Sequence, residues 1–239
     1  MTDNINMDEL YTQLGDIGGA IQDHIDYLAG KVVLCNCDDP YESNFFRYFA
    51  LAFNYLKLKK LITTSYVNSP VAGKQLNLLP VEGNLRQSRP YKIEITEMED
   101  KYGDGEIDFA DIEIVLRNRK GALTELKGDG DFRSEECIEL LREADVVITH
   151  PPFSLFREYL AQLMEFDKKF LILGDQKALD YPEVQHLINE DLIWQDCNFW
   201  EEIWVYVNDE NGTGNFLDDQ RIVSVPYIWF TNIDYLKSK

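Results

Sequence analysis

The stretch that most constrains the fold of this chain is Ala144-Asp-Val-Val-Ile-Thr-His-Pro-Pro-Phe-Ser154. Val146 to Thr149 form an unbroken apolar and β-branched run, as expected of a strand buried on both faces of a parallel sheet. Pro151 and Pro152 lack the amides that would extend its ladder, and they fix the backbone just past its end. In open α/β sheets, ligands bind at the carboxyl ends of the strands. A stiff Pro-Pro step with exposed carbonyls, followed by the ring of Phe153, makes a clamp there for a flat polar heterocycle.

The rest of the chain reads as strands alternating with helices. Leu14, Ile17, Ile21, Ile25 and Leu28 have helical spacing and predict a helix over 8–28, interrupted by Gly18-Gly19. Residues 31–35 predict a buried strand, 36–43 a turn, and Ser43 the N-cap of a helix over 44–56. A strand follows at 58–66. Residues 67–90 have no sustained period and read as a loop or peripheral insertion. The β-rich runs 91–96 and 112–117 flank an acidic turn and predict a hairpin. Helices over 135–143, 155–166 and 182–190 and strands at 146–149, 169–173, 201–207 and 222–230 complete the pattern. The expected fold is a doubly wound, mostly parallel α/β sheet. It forms a single domain over 1–239, with a loop and hairpin insertion at about 67–127.

Composition narrows the function. No apolar run is long enough to span a bilayer, and the N-terminus lacks the basic and apolar parts of a signal peptide. Cys35, Cys37, Cys137 and Cys197 have no paired zinc-type or disulfide-framework spacing, so no metal site is expected and reduced thiols in a cytoplasm fit best. The net charge of −20 opposes nucleic acid at long range unless cations cluster on one face. Lys57, Lys59 and Lys60 are the densest group.

Seven strings, taken in order, carry a family resemblance: DELYTQL (8–14), KVVLCNCDDPYESNFFRYF (31–49), LKKLITTSY (58–66), GDGDFRSEECIELL (128–141), DVVITHPPFSLFREYLAQL (145–163), KKFLILG (168–174) and WFTNID (229–234). With them the chain resembles the EcoRI-type adenine-specific DNA methyltransferase family. The resemblance implies a Rossmann-like fold that binds S-adenosyl-L-methionine (SAM) and transfers a methyl group to adenine N6 in double-stranded DNA. It implies that Tyr11 and Thr12 line the methionine end of the cofactor. Asp38, Asp39, Pro40 and Ser43 would form the cofactor loop, and Asp131 and Phe132 would lie at its adenine ring. His150, Pro151, Pro152 and Phe153 would hold the flipped target base. Transfer to an exocyclic amine needs no covalent intermediate. It needs acceptors that orient the nitrogen lone pair and a face for stacking, which Pro151 and Phe153 supply.

Other residues depart from the family pattern. His150 stands where the family has Asn; a neutral imidazole offers one acceptor, and protonation removes it. Asp175 and Lys177 stand in a string that is Asn-rich in the family. Family members also continue through a further C-terminal region, expected to carry part of the DNA-facing surface. With the charge, these departures raise a second expectation: a catalytically inactive acidic relative, a pseudoenzyme that binds a DNA-binding or defence protein as an anti-restriction inhibitor or DNA mimic.

Three further signals read as structural. Asp100 to Asp111 imitates an EF-hand loop, with Gly105 sixth and Ile107 eighth, but Tyr102 replaces an oxygen ligand and a hairpin turn is the better reading. The group Trp194, Phe199, Trp200, Trp204 and Tyr206 reads as core and sheet surface, or, if exposed together, as a partner-binding patch. His24 and His186 read as helix-surface residues.

Overall fold

The computed structural model describes residues 11–40, 43–66, 90–101, 103, 105, 107–117, 123–196, 203–208, 220–225 and 227–234. Four strands run parallel at the centre: β2 (Val32–Cys35), β3 (Lys60–Thr64), β6 (Val146–Thr149) and β7 (Lys169–Asp175). β4 (Tyr91–Ile95) and β5 (Leu123–Glu125) extend one edge. β11 (Tyr227–Thr231) and β8 (Trp194–Gln195) extend the other. Among the described residues the order is β5-β4-β3-β2-β6-β7-β11-β8. β4 pairs antiparallel with β3, and β11 inserts antiparallel between β7 and β8. A separate small sheet joins β1 (Tyr11–Thr12), β9 (Ile203–Asn208) and β10 (Gln220–Val225).

The alternation of side chains along each strand divides the core into two layers. Val33, Cys35, Val146, Ile148, Leu171 and Leu173 face one cluster, with the helical segment α1 (Leu14–Ile21), a 3-10 turn and α2 (Ile25–Leu28), and with α3 (Asn44–Leu51) and α4 (Phe109–Arg117). Val32, Leu34, Val147, Phe170 and Ile172 face the other, with α5 (Glu135–Glu143), α6 (Phe156–Glu165) and α7 (Pro182–Asn189). A strand sandwiched between two helical layers must be apolar on both faces. That is why β2 and β6 read as unbroken apolar runs, and every residue of both is buried.

Helix ends follow local chemistry. Ser43 Oγ accepts from the Phe45 amide at 3.0 Å and starts α3, which buries Phe45, Phe46, Phe49 and Ala50. Ser134 Oγ caps α5, whose first turn carries Glu135 and Glu136 at the positive end of the helix dipole.

Several expectations are corrected. The run 112–117 is not a hairpin strand but part of α4; Asp108 Oδ1 accepts from the amides of Ala110 and Asp111 at the start of that helix. A capped N-terminus and packing of Ile112 override the β-branched composition. The partner of β4 is instead β5, reached through α4. The EF-hand-like loop therefore turns into a helix: Asp100 accepts from the Gly103 and Gly105 amides, and Asp111 from Lys101 and Asp108. The helix expected from residue 8 begins at Leu14, because Tyr11 and Thr12 pair with Tyr206 and Val205 of β9. The strand expected over 222–230 is two, β10 and β11, in different sheets. His24 is fully buried, 3.3 Å from Asp196, whereas His186 is exposed as expected. Residues 8–10, 67–89, Tyr102, Cys197, Phe199 and Trp200 lie outside the described residues.

No helix among the described residues is long and apolar enough to cross a membrane. Cys35, Cys37 and Cys137 are free thiols.

Candidate active site

Strand order reverses between β2 and β6: β3 lies on one side of β2, and β6 and β7 lie on the other. The two loops leaving such a point diverge and open a crevice at the carboxyl ends of the strands. Here those loops are the turn 36–40 after β2 and the segment 150–153 after β6. The sequence-predicted cofactor turn and base clamp thus meet at one place.

Asp38 ties them together. Its carboxylate accepts from Ser43 Oγ at 2.8 Å, from Thr149 Oγ1 and from the His150 amide. Thr149 Oγ1 in turn accepts from the Cys37 amide at 3.3 Å. Burial pushes the Asp38 carboxyl up to about 6; the Thr149, Ser43 and His150 donors oppose that shift, and the Asp39 charge adds to it. The backbone of the turn is held from β3: Thr63 Oγ1 donates to the carbonyls of Cys35 and Asp38, and Thr64 Oγ1 to that of Asn36. Asp39 is half-buried, with Tyr91 OH donating to its Oδ1 at 3.1 Å. Pro40 is buried.

Thr12 of β1 reaches the start of α3. Its carbonyl accepts from Asn44 Nδ2, at the first residue of α3, at 2.9 Å. Tyr11 precedes it in the strand.

Asp131 and Phe132 arrive on the loop after β5. Gly130 makes that approach possible, with φ +80° and an added Cβ 2.1 Å from the Ser65 carbonyl oxygen. Gly130→Ala is expected to cost about 3 kcal/mol from strain and overlap, read as a lowered urea midpoint with unchanged slope. Phe132 is buried edge-on against Tyr159, ring centroids 5.0 Å apart, with the Arg133 guanidinium over its ring. Asp131 accepts from Arg133 through both carboxylate oxygens, and this holds its carboxyl below the usual range. The Arg133 guanidinium therefore covers one face of the Phe132 ring, 5.1 Å from its centroid.

Beyond the second loop, the ring of His150 lies 4.9 Å from Phe153 and 5.8 Å from Tyr227, and Phe153 lies 4.9 Å from Tyr227. Pro151 is buried; His150, Pro152 and Phe153 are half-buried. Tyr227 opens β11 opposite Asp175 at the end of β7, so the β6, β7 and β11 ends form one rim.

Sequence reasoning missed Asn36, Thr149, Tyr159 and Tyr227. Asn36 Oδ1 accepts from Tyr159 OH, which links the turn to Phe132. Thr149 carried a signal, as a hydroxyl closing an apolar strand beside the clamp. Tyr227 carried none, since its place is set by antiparallel insertion of β11.

The residues fit a polar cofactor at this turn. Asn36 Nδ2 and Thr12 Oγ1 are buried and have no hydrogen-bond partner among the described residues. Such groups are costly unless a ligand or water satisfies them.

Sheet order makes this a Rossmann-like α/β protein with its switch point between β2 and β6. Residues 2–239 match the family described as adenine-specific methyltransferase EcoRI, and the chain belongs to that family. It is 39% identical over 234 residues to the Type II methyltransferase M.EcoRI of Escherichia coli, covering 95% of this chain and 65% of that protein. It is 32% identical over 233 residues to M.MpnI of Mycoplasma pneumoniae, covering 94% and 61% respectively. The chain thus spans less than two thirds of the length of either relative. A solved structure from Pyrococcus horikoshii, described as a candidate RNA methyltransferase, aligns with 98% of this chain and 92% of that one at a TM-score of 0.42 and 14% identity. Family membership implies S-adenosyl-L-methionine as the cofactor.

Proposed function

We propose that this chain is a SAM-dependent DNA methyltransferase acting on adenine N6 in double-stranded DNA. The observation that carries this reading is the fastening of the segment Thr149–Phe153 to the turn 36–40 at the switch point, through Asp38 and Thr149. Bound SAM supplies an electrophilic methyl group on a sulfonium. Asn36, Asp39, Thr12 and the Ser43 end of α3 surround the place where its polar groups would be held, with Asp131 and Phe132 toward its adenine. The Pro151 carbonyl and the His150 ring accept hydrogen bonds from the target amine, and Phe153 offers the base a stacking face.

The net charge of −20 sets the conditions of the test, because duplex DNA is repelled at long range. Calorimetry with SAM is paired with an assay for N6-methyladenine in adenine-rich duplexes, from low salt upward. The expected result is stoichiometric SAM binding, with methylation that fades as salt rises. Absence of N6-methyladenine at every salt, with a DNA-binding protein co-purifying, would instead identify an inactive acidic relative.

A further inference from the structure

We infer that Asp38 is a positioning residue: its carboxylate, held at once by Ser43, Thr149 and the His150 amide, sets the spacing between the cofactor turn and the target-base loop rather than contacting the cofactor. The inference deepens the proposed function, and its catalytic arm rests on that reading.

The geometry leaves Asp38 little to offer a ligand. It is 6% exposed. One oxygen accepts from Ser43, the cap of α3, and the other from Thr149, the last residue of β6. The His150 amide also donates to it. Residue 150 begins the base clamp and follows the end of the β6 ladder, so its amide needs a partner outside the sheet. The Asp38 carboxylate is that partner, and it faces away from solvent. The Thr149 hydroxyl adds a second rung, donating to Asp38 while accepting from the Cys37 amide. Methyl transfer demands that donor and acceptor sites be held to a fraction of an ångström. These two rungs fasten one loop directly to the other. Asp39, by contrast, is half-buried on the same turn and accepts from Tyr91 OH of β4.

The test uses the full chain as wild type, Asp38→Asn and Thr149→Val. Amide exchange read residue by residue by NMR should accelerate at His150 by tenfold or more in Asp38→Asn and by a few-fold in Thr149→Val. The Leu34 and Leu171 amides, within the ladder, should be unchanged and so separate this effect from unfolding. SAM affinity by calorimetry should stay within about threefold of wild type, while single-turnover methyl transfer at saturating SAM falls at least tenfold. A tenfold or greater loss of SAM affinity with unchanged His150 exchange would make Asp38 a cofactor ligand and overturn the inference. Should Asp38→Asn fail to fold, unchanged His150 exchange in Thr149→Val would overturn it equally. Should the wild-type chain transfer no methyl group, the proposed function fails, and His150 exchange still decides the role of Asp38.

Discussion

Replacing His150 by asparagine is expected to raise single-turnover methyl transfer to adenine by about 10²-fold, the usual worth of one preorganised polar contact at a reacting centre. A neutral imidazole has one acceptor nitrogen, and its other nitrogen is a donor that opposes the donor hydrogens of the target amine. An asparagine carbonyl supplies two lone pairs and needs no particular tautomer. The geometry adds a steric term. The His150 ring is wedged 4.9 Å from Phe153 and 5.8 Å from Tyr227, against the face that a flipped base would use. The shorter side chain opens that face, at a cost to stability of about 1 kcal/mol in lost ring contacts. Phe153→Ala is the companion measurement: it should lower transfer at least tenfold while SAM affinity holds. A fall in rate on His150→Asn would make the imidazole the working acceptor. No transfer by either protein, with SAM still bound, would favour the inactive acidic relative.

The sequence revealed the centre of the fold and missed parts of its edges, for a physical reason. β2 and β6 are buried on both faces, so their apolar runs had one reading. Ser43 and Ser134 cap their helices by contacts within a few residues, which local sequence can encode. The run 112–117 failed because β-branched residues in a short segment suit either element, and the Asp108 cap with the burial of Ile112 decided for helix. The break at Leu14 and the division of 222–230 into two sheets depend on pairings with distant strands. The same division holds at the site. The two site loops could be recognised as strings, yet nothing in their spacing told that Asp38 would turn inward to Thr149 and leave Asp39 half-exposed. That choice is made by long-range contacts from β3, β4 and β6.

Asp38 should also leave a signature in stability against pH. Its carboxyl, ordinarily near 3.8, is raised to about 6 in the folded chain, chiefly by burial. Between those values the folded chain keeps a proton that the unfolded chain has released. Stability from this group is therefore fully present below about pH 4 and falls as pH rises toward 6, a loss on the order of 3 kcal/mol. Asp131 acts in the opposite sense, because Arg133 lowers its carboxyl and its contribution grows as pH rises from acid. The raw curve is a sum of such terms, so the measurement is the difference between wild type and Asp38→Asn in urea unfolding from pH 4 to 8. That difference should shift by about 3 kcal/mol in favour of the asparagine variant across pH 4 to 6 and be level above it. Parallel curves would mean that the carboxyl is not buried as an anion. The anion costs stability relative to the protonated carboxyl of the same site, and at neutral pH it is the form that holds the His150 amide. The variant should accordingly lose the pH dependence of stability that Asp38 confers between pH 4 and 6, and be the poorer methyltransferase.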